Sequence, residues 1–474
     1  MRNVRFTARL GFLILSGLNL GQAQFRHPGI FNSQEELDFI RQKTAASAAH
    51  PMKDGLKKLQ QFYGAGLGYQ SKPVATVDAV PSGVDASEQN FRDAGHAAYA
   101  QALEWVATGD VRYRDKGLEI LNGWAKTMKT FTTQSNHQEY LEAAWALPTW
   151  CAAAEIFRYY NKGAAGWAKA DIDQFIVLLN LLADDAVKTI TALDRNNNWG
   201  SSSALSMMAV GVFEDDTAKF NVGLKFAIKI LPAQVEKSGM IMETCRDCNH
   251  AEYNILGMME LAEVAWQQGI DFYGIKLDGQ DTPRLLMGME FHAAALLGKP
   301  LNVGQSCGPV NCSGEDKHAG GWEIGLNHYR YRAKLPVPNT TSFVTGQNRP
   351  DGNSEDHFTE WTTLTHAELG SIAYTGVGVR NNLGMSPAGP GLILQRNDDG
   401  LTLRYRLSGE ARNGGPSRLE MFSTQGRMVF SSLLDADEGD LRIPGGTASG
   451  FGAGPYLFRV VPLGAGSNPL PVSK

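Results

Sequence analysis

FRDAGHAAYAQALEWVA (residues 91–107), TGD (108–110) and VRYRDKGLEILNGWAKTM (111–128) decide the fold. The first and third segments carry apolar residues at helical spacing, and the Thr108-Gly109-Asp110 turn between them ends one helix and caps the next. The same grammar recurs downstream. His137–Tyr160, Ala168–Ile190, Ser201–Phe213, Thr217–Gln234, Arg246–Gln268 and Pro283–Leu297 read as further helices, with Pro148 inside one of them and expected to kink it. Eight long helices joined by short links predict stacked helical hairpins, packed as a bundle, a solenoid or a closed toroid. No fixed-period repeat stands out, which disfavours a regular solenoid.

Outward from this block the chain changes character twice. At the N-terminus, Arg2, Arg5 and Arg9 precede an apolar run, Leu10–Leu18, and Gly21-Gln22-Ala23 supplies small residues for cleavage. Residues 1–23 therefore read as a signal peptide, with a secreted or periplasmic mature chain starting near Gln24, and no stretch is long enough for a membrane span. Residues 24–375 form the helical domain and 376–390 a Gly-, Asn- and Pro-rich linker. Residues 391–474 alternate in the manner of a small β-sandwich, with strands at 401–407, 418–422, 427–430 and 456–461, and resemble an accessory or secretion-sorting module. The 474 residues carry 44 Lys+Arg against 49 Asp+Glu, a net charge of −5, which excludes a globally basic nucleic-acid binder but not an acidic ligand in a locally positive cleft.

Five cysteines in an exported chain point to disulfides among Cys245, Cys248, Cys307 and Cys312, with Cys151 a small buried residue. Their pairing is open; a bond from the Cys245/Cys248 pair to the Cys307/Cys312 loop would brace the helix that follows Cys248. A zinc site using the same cysteines is the competing reading.

The chemistry concentrates in ETCRDCNHAEY (243–253). On a helical wheel Arg246, His250 and Tyr253 share one face, with Gly257 next along, while Ala251, Ile255, Met258 and Met259 fall opposite. A solvated helix face would show the same Arg and His; the Tyr and the small residue beyond it favour a face that lines something. A second signal is DRNNNWGSSS (194–203), a polar loop entering a helix, whose Asn run serves as a cap or as donors to a carboxylate. Trp199, Trp145 and Trp150 nearby suit sugar-ring stacking or the core.

With HPGIFNSQEELDFIRQK (27–43), the Asn198-Trp199 loop, the Arg246–Tyr253 helix and the late HFTEWTTLTHAELG (357–370), the chain resembles polysaccharide lyases of the alginate-lyase type. The resemblance implies an (α/α) toroid, and β-elimination on an acidic uronate polysaccharide by a monomer, without metal or other cofactor. It implies Asn198 as a neutraliser of the uronate carboxylate and Arg246 and Tyr253 as catalytic residues; Trp199, His137, Asn249 and Trp145 are the accompanying candidates for substrate binding. Alginate-specific members carry His directly after the Asn; Trp199 stands there here, so His250 or His137 must supply any imidazole.

Chemistry supports the same reading. The C5 proton of a uronate is too weakly acidic beside a carboxylate anion unless that anion is hydrogen-bonded or charge-paired. A base must then take the proton and an acid protonate the departing O4. In mannuronate and glucuronate both lie on one side of the ring, so Tyr253 can do both, its phenol acidified by Arg246. Three rivals stand: an inverting glycosidase using a pair from Glu139, Glu142, Glu243 and Glu252; a non-catalytic sugar-binding protein; and a Cys245/Cys248/His250 metal site. His96 and His292 read as satisfied interior histidines, while Glu323, His328, Tyr329, Arg330 and Arg332 have sugar-binding types but no spacing argument.

Overall fold

The computed structural model describes residues 25–80, 85–133, 136–301, 310–314, 319–352, 358–371 and the six C-terminal strands. The proposed signal peptide, the linker at 376–390, Cys307 and His357 lie outside the described residues. Fourteen α-helices occur among them: α1 Gln34–Ala45, α2 Pro51–Leu59, α3 Ala86–Thr108, α4 Val111–Thr127, α5 Gln138–Gly163, α6 Lys169–Ala186, α7 Lys188–Thr191, α8 Asn198–Phe213, α9 Thr217–Gln234, α10 Cys248–Gln267, α11 Arg284–Leu296, α12 Trp322–Leu326, α13 Pro338–Phe343 and α14 Thr362–His366.

The hairpins form as local chemistry dictates. Between α3 and α4, Gly109 takes the left-handed conformation (φ 74°) that closes α3, and the Asp110 carboxylate caps α4 through the Arg112 backbone N–H. Hairpins α3–α4, α5–α6, α8–α9 and α10–α11 then pack in a closed cycle: α1 on α3, α3 on α5, α5 on α8, α8 on α10, α10 on α12, α12 on α14, and α14 back on α1. The architecture is an (α/α) toroid. Helices α3, α5, α8 and α10 make the inner layer and run parallel, because each is followed by an antiparallel outer partner.

The two layers differ in pattern as their positions require. Outer α6 buries Phe175, Leu178, Leu179, Leu182 and Ala186, a single stripe. Inner α8 is buried from Gly200 to Phe213 without interruption. Inner helices also bury charge. On α10, Glu263 is paired with Arg332, and burial pushes the Glu260 carboxyl up to about 8, so that it is neutral near pH 7.

Pro148 lies within α5, but the backbone leaves helical geometry only at Tyr160, Asn161 and Lys162. Proline deprives the carbonyl four residues earlier of its donor. The Ser206 hydroxyl of α8 lies 2.5 Å from that Ala144 carbonyl and replaces it. The helix expected over 168–190 is divided into α6 and α7.

Beyond the toroid, β3 (Gly391–Asn397), β4 (Gly400–Arg406) and β7 (Glu438–Pro444) form one antiparallel sheet in the order β3-β4-β7. Strands β6 (Met428–Leu434), β5 (Ser417–Ser423) and β8 (Tyr456–Pro462) form a second, in that order. A short parallel pair within the helical domain joins β1 (Thr76–Asp78) to β2 (Thr130–Thr132). No helix of the described residues is long and apolar enough to cross a membrane.

Candidate active site

Because the inner helices are parallel, α5, α8 and α10 present their N-termini, the positive ends of their dipoles, at one rim of the ring. That rim holds the residues singled out from sequence. Asp247, in extended conformation (φ −169°), is the N-cap of α10, and its carboxylate accepts the His250 backbone N–H at 2.7 Å. The helix therefore starts at Cys248. Arg246 is not on it, as the wheel assumed, but in the preceding turn, where its backbone N–H donates to the Glu243 carbonyl.

The Arg246 guanidinium, half exposed, donates to Glu243 Oε1 at 3.0 Å and lies 3.5 Å from Asp247 Oδ2. Glu243 is buried, and its other oxygen accepts the Asn198 backbone N–H (3.2 Å) and the Asn254 side-chain amide (2.6 Å). One carboxylate thus joins the start of α8, the turn before α10, and α10 itself. Asn198 is the first residue of α8 and not part of the loop; Asn197 stands at the N-cap position without a side-chain capping bond. Asn198 is buried, and its Oδ1 has no hydrogen-bond partner among the described residues. Such an orphan acceptor calls for a donor, and a hydroxyl of an incoming sugar is one; a carboxylate, which only accepts, would have to meet the amide nitrogen instead.

His250 Nδ1 lies 2.7 and 2.8 Å from the two Asp247 oxygens. An acceptor-only carboxylate there makes Nδ1 the protonated nitrogen and leaves Nε2 for other work. Burial pushes the Asp247 carboxyl up, but hydrogen bonds from the His250 backbone and ring, with the charges of His250 and Arg246, outweigh it and hold it below its ordinary value. The Tyr253 ring packs edge-on to His250 (5.6 Å between centroids) and to Trp145 of α5 (5.9 Å), and beside Phe358 (5.9 Å). Asn249, Glu252, Tyr253, Leu256, Gly320 and Phe358 line a cleft at this point. Gly257 serves a different purpose from the one its wheel position suggests. A Cβ there would stand 3.1 Å from Ser201 Oγ and 3.4 Å from Phe358, so it is the point where α10 approaches α8 and the 358 segment.

The remaining sequence-based candidates are less closely joined. Arg195 stacks over the Trp199 ring at 4.6 Å, so that face is already covered. His137, left-handed (φ 59°) at the start of α5, stacks on Tyr140 and stands 3.9 Å from Glu139. Of the carboxylates considered for a glycosidase, Glu142 pairs with Arg92, Glu243 with Arg246, and Glu252 accepts the Trp322 indole N–H at 2.7 Å. Cys248 is bonded to Cys312 (Cα–Cα 5.8 Å) and Cys245 is also disulfide-bonded, which consumes the sulfurs of the rival metal site; Cys151 is free and buried.

Among the residues read as structural, His96 is buried with its ring nitrogens 3.2 Å from the Arg92 and Phe358 carbonyls. His292 is interior too, but neither ring nitrogen finds a partner among the described residues, and burial pulls its imidazole down to about 4. Glu323 and Arg332 are internal ion-pair members, with Arg349 and with Glu36 and Glu263. Sequence reasoning missed Asp247 and Phe358 as parts of the site and saw Glu243 only as a glycosidase acid. The Asp-x-x-His spacing, a capping residue one turn before an imidazole, was the available signal for Asp247. Phe358 lies in the 357–370 stretch that carries the family resemblance, but nothing in its spacing placed it beside Tyr253.

A closed ring of helical hairpins whose inner-helix rim gathers Tyr, His, Arg and Asn is the layout of an (α/α)-toroid polysaccharide lyase. The family model described as alginate lyase matches residues 33–301, more than half of the chain, which accordingly belongs to the alginate-lyase family. Among solved structures, alginate lyase A1-III from Sphingomonas species A1 is similar at 18% identity and a TM-score of 0.52, covering 71% of this chain and 95% of that one. A histidine-to-alanine variant of the same enzyme complexed with a tetrasaccharide gives a TM-score of 0.53 at 17% identity, covering 71% and 94%. An alginate lyase from Bacteroides ovatus gives 0.50 at 13% identity, covering 72% and 99%. No curated protein matched the chain by sequence.

Proposed function

We propose that this polysaccharide lyase cleaves a 1,4-linked uronate polymer, of the alginate or glucuronan type, by β-elimination at the α10 rim. The observation that carries the reading is the meeting of Tyr253, the Asp247-held His250, and the Glu243-linked Asn198 and Arg246 where α8 and α10 begin. The similar solved structures, alginate lyase A1-III and its tetrasaccharide complex among them, fit an acidic polysaccharide.

Asn198 and Arg246, with His250, neutralise the uronate carboxylate, so that charge developing on it when the C5 proton leaves is already stabilised. The Tyr253 phenolate takes that proton. The C5 electron pair forms the C4–C5 double bond as the C4–O4 bond breaks, and O4 leaves with the proton that Tyr253 has just acquired. Asn249, in the cleft wall, and Trp145, packed on Tyr253, bind the flanking sugars, with His137 and the Trp199 face not covered by Arg195 further out along the chain of sugars. We further read the chain as exported, with residues 1–23 as its signal, and the Cys248–Cys312 bond suits an oxidising compartment.

The test is to incubate the mature protein with polymannuronate, polyguluronate, glucuronan and hyaluronan and follow the absorbance of the conjugated alkene. Absorbance rising on at least one polymer is expected. Silence on all four overturns the reading; reducing ends without alkene would mean a glycosidase.

A further inference from the structure

Glu243 lies outside the set of residues to which the proposed elimination gives a role. Its carboxylate is nevertheless the junction of that set. Oε2 takes the backbone N–H of Asn198 and the amide of Asn254, and Oε1 takes the guanidinium of Arg246. Asn198 and Glu243 are 45 residues apart in sequence, so this bond is a tertiary tie between the start of α8 and the turn that leads into α10. The Cys245 disulfide and backbone bonds to the Glu243 carbonyl hold the main chain of this turn, but half of the Arg246 side chain faces solvent. An exposed arginine on a turn samples many rotamers unless a partner selects one. A buried carboxylate is a strong selector, because the charged pair is shielded from water on one side.

Resting on the function proposed above, we infer that Glu243 is a positioning residue that sets the distance between Asn198 and Arg246, and so shapes the cradle that receives the uronate carboxylate. The division of labour between its two oxygens makes this testable. In Glu243→Gln, a carbonyl oxygen placed at the Oε2 position still accepts from Asn198 and Asn254, while the amide nitrogen at the Oε1 position can no longer accept from Arg246. The substitution therefore leaves the guanidinium only Asp247, 3.5 Å away, and spares the tie between helices. Glu243→Ala cuts both.

The experiment is a double-mutant cycle of Glu243→Gln and Arg246→Ala, read in calorimetric binding of a uronate tetrasaccharide and in turnover, with melting temperatures alongside. Glu243→Gln is expected to melt close to wild type and to lose between about 10- and 100-fold in kcat, the range expected when a reacting group is displaced by a fraction of an ångström to an ångström. In the Arg246→Ala background it should cost less than about twofold more, because neighbours acting as one unit are non-additive. Additive losses, or a Glu243→Gln enzyme within twofold of wild type, overturn the inference. If the wild-type protein binds the tetrasaccharide but yields no alkene, the elimination fails on its own, and the cycle in binding still decides Glu243. A wild-type protein that neither binds nor cleaves overturns both.

Discussion

The Asp247 carboxylate holds His250 twice, through the backbone N–H at 2.7 Å and through ring Nδ1 at 2.7 and 2.8 Å. One side chain therefore starts helix α10 and fixes the tautomer of the imidazole on its first turn.

These two jobs separate by substitution. Asparagine is as good an N-cap as aspartate, whereas alanine forfeits about 1 kcal/mol of cap. Asp247→Asn should keep the wild-type melting temperature while lowering kcat/KM at least tenfold, part of the roughly 10²–10⁴ that a positioned acid–base group contributes. Asp247→Ala should lose both. Thermal melts and initial rates on the preferred polymer decide it, and an Asp247→Asn enzyme with unaltered kcat/KM shows that His250 orientation is irrelevant.

Tyr253→Phe keeps the ring that packs on Trp145 and Phe358 and removes only the hydroxyl. A loss of roughly 10²–10⁴-fold in kcat with little change in KM is expected for a group that acts only in the transition state. Steady-state kinetics with more than about a tenth of the rate retained would transfer the base role to His250.

Cys248 is the first residue of α10, and its bond to Cys312 spans 64 residues. A loop of that length corresponds to roughly 4 kcal/mol in the chain-entropy model. Replacing both cysteines with serine should lower stability by up to that amount, seen in denaturant melts, and should depress kcat because the helix start carries His250. Unchanged stability would show that the bond constrains nothing.

His27 gives a pH dependence. Its Nδ1 lies 2.6 Å from Glu155 and its Nε2 3.1 Å from Asp215. Burial pulls the imidazole down, but hydrogen bonds and charges from Glu155 and Asp215 outweigh it and raise it above the usual 6.5. A raised folded value means that the protonated form favours the fold: the contribution is complete below about pH 6.5 and fades as pH rises through the folded value. The melting-temperature gap between wild type and His27→Gln should be widest below pH 6.5 and narrow above it. A gap that does not change with pH would contradict this.

Helix ends at hairpins were legible in the sequence because they are written locally: Gly109 and Asp110 suffice to close α3 and open α4. The start of α10 was displaced by two residues because the wheel gave Arg246 a helical angle when Asp247 was the cap. Which helices lie inside was not legible, since α10 buries Glu260 and Glu263 and so reads as half solvated. In the site, Tyr253 and His250 were visible through their spacing of one turn, whereas Glu243 and Phe358 depend on contacts between distant segments, for which a single sequence carries no signal. In the C-terminal module, the strands at 391–397 and 438–444 are not among those the alternation marks, and β6 runs further than its alternation indicates.

The ring has a seam. Elsewhere each hairpin packs on the next along the chain, but closure depends on pairs such as the Asn32 amide with the Thr365 carbonyl, 333 residues apart, and His366 Nε2 with the Phe31 carbonyl, 335 apart. Such contacts carry the largest loop-closure entropy and form only once the intervening hairpins have shortened the path. The described stretch 358–371, which supplies these closing contacts, includes Phe358, a wall of the cleft beside Tyr253. The cleft is therefore complete only when the two ends of the domain have met, and a chain whose hairpins are all folded but whose seam is open has the helices of the ring without this wall of the cleft.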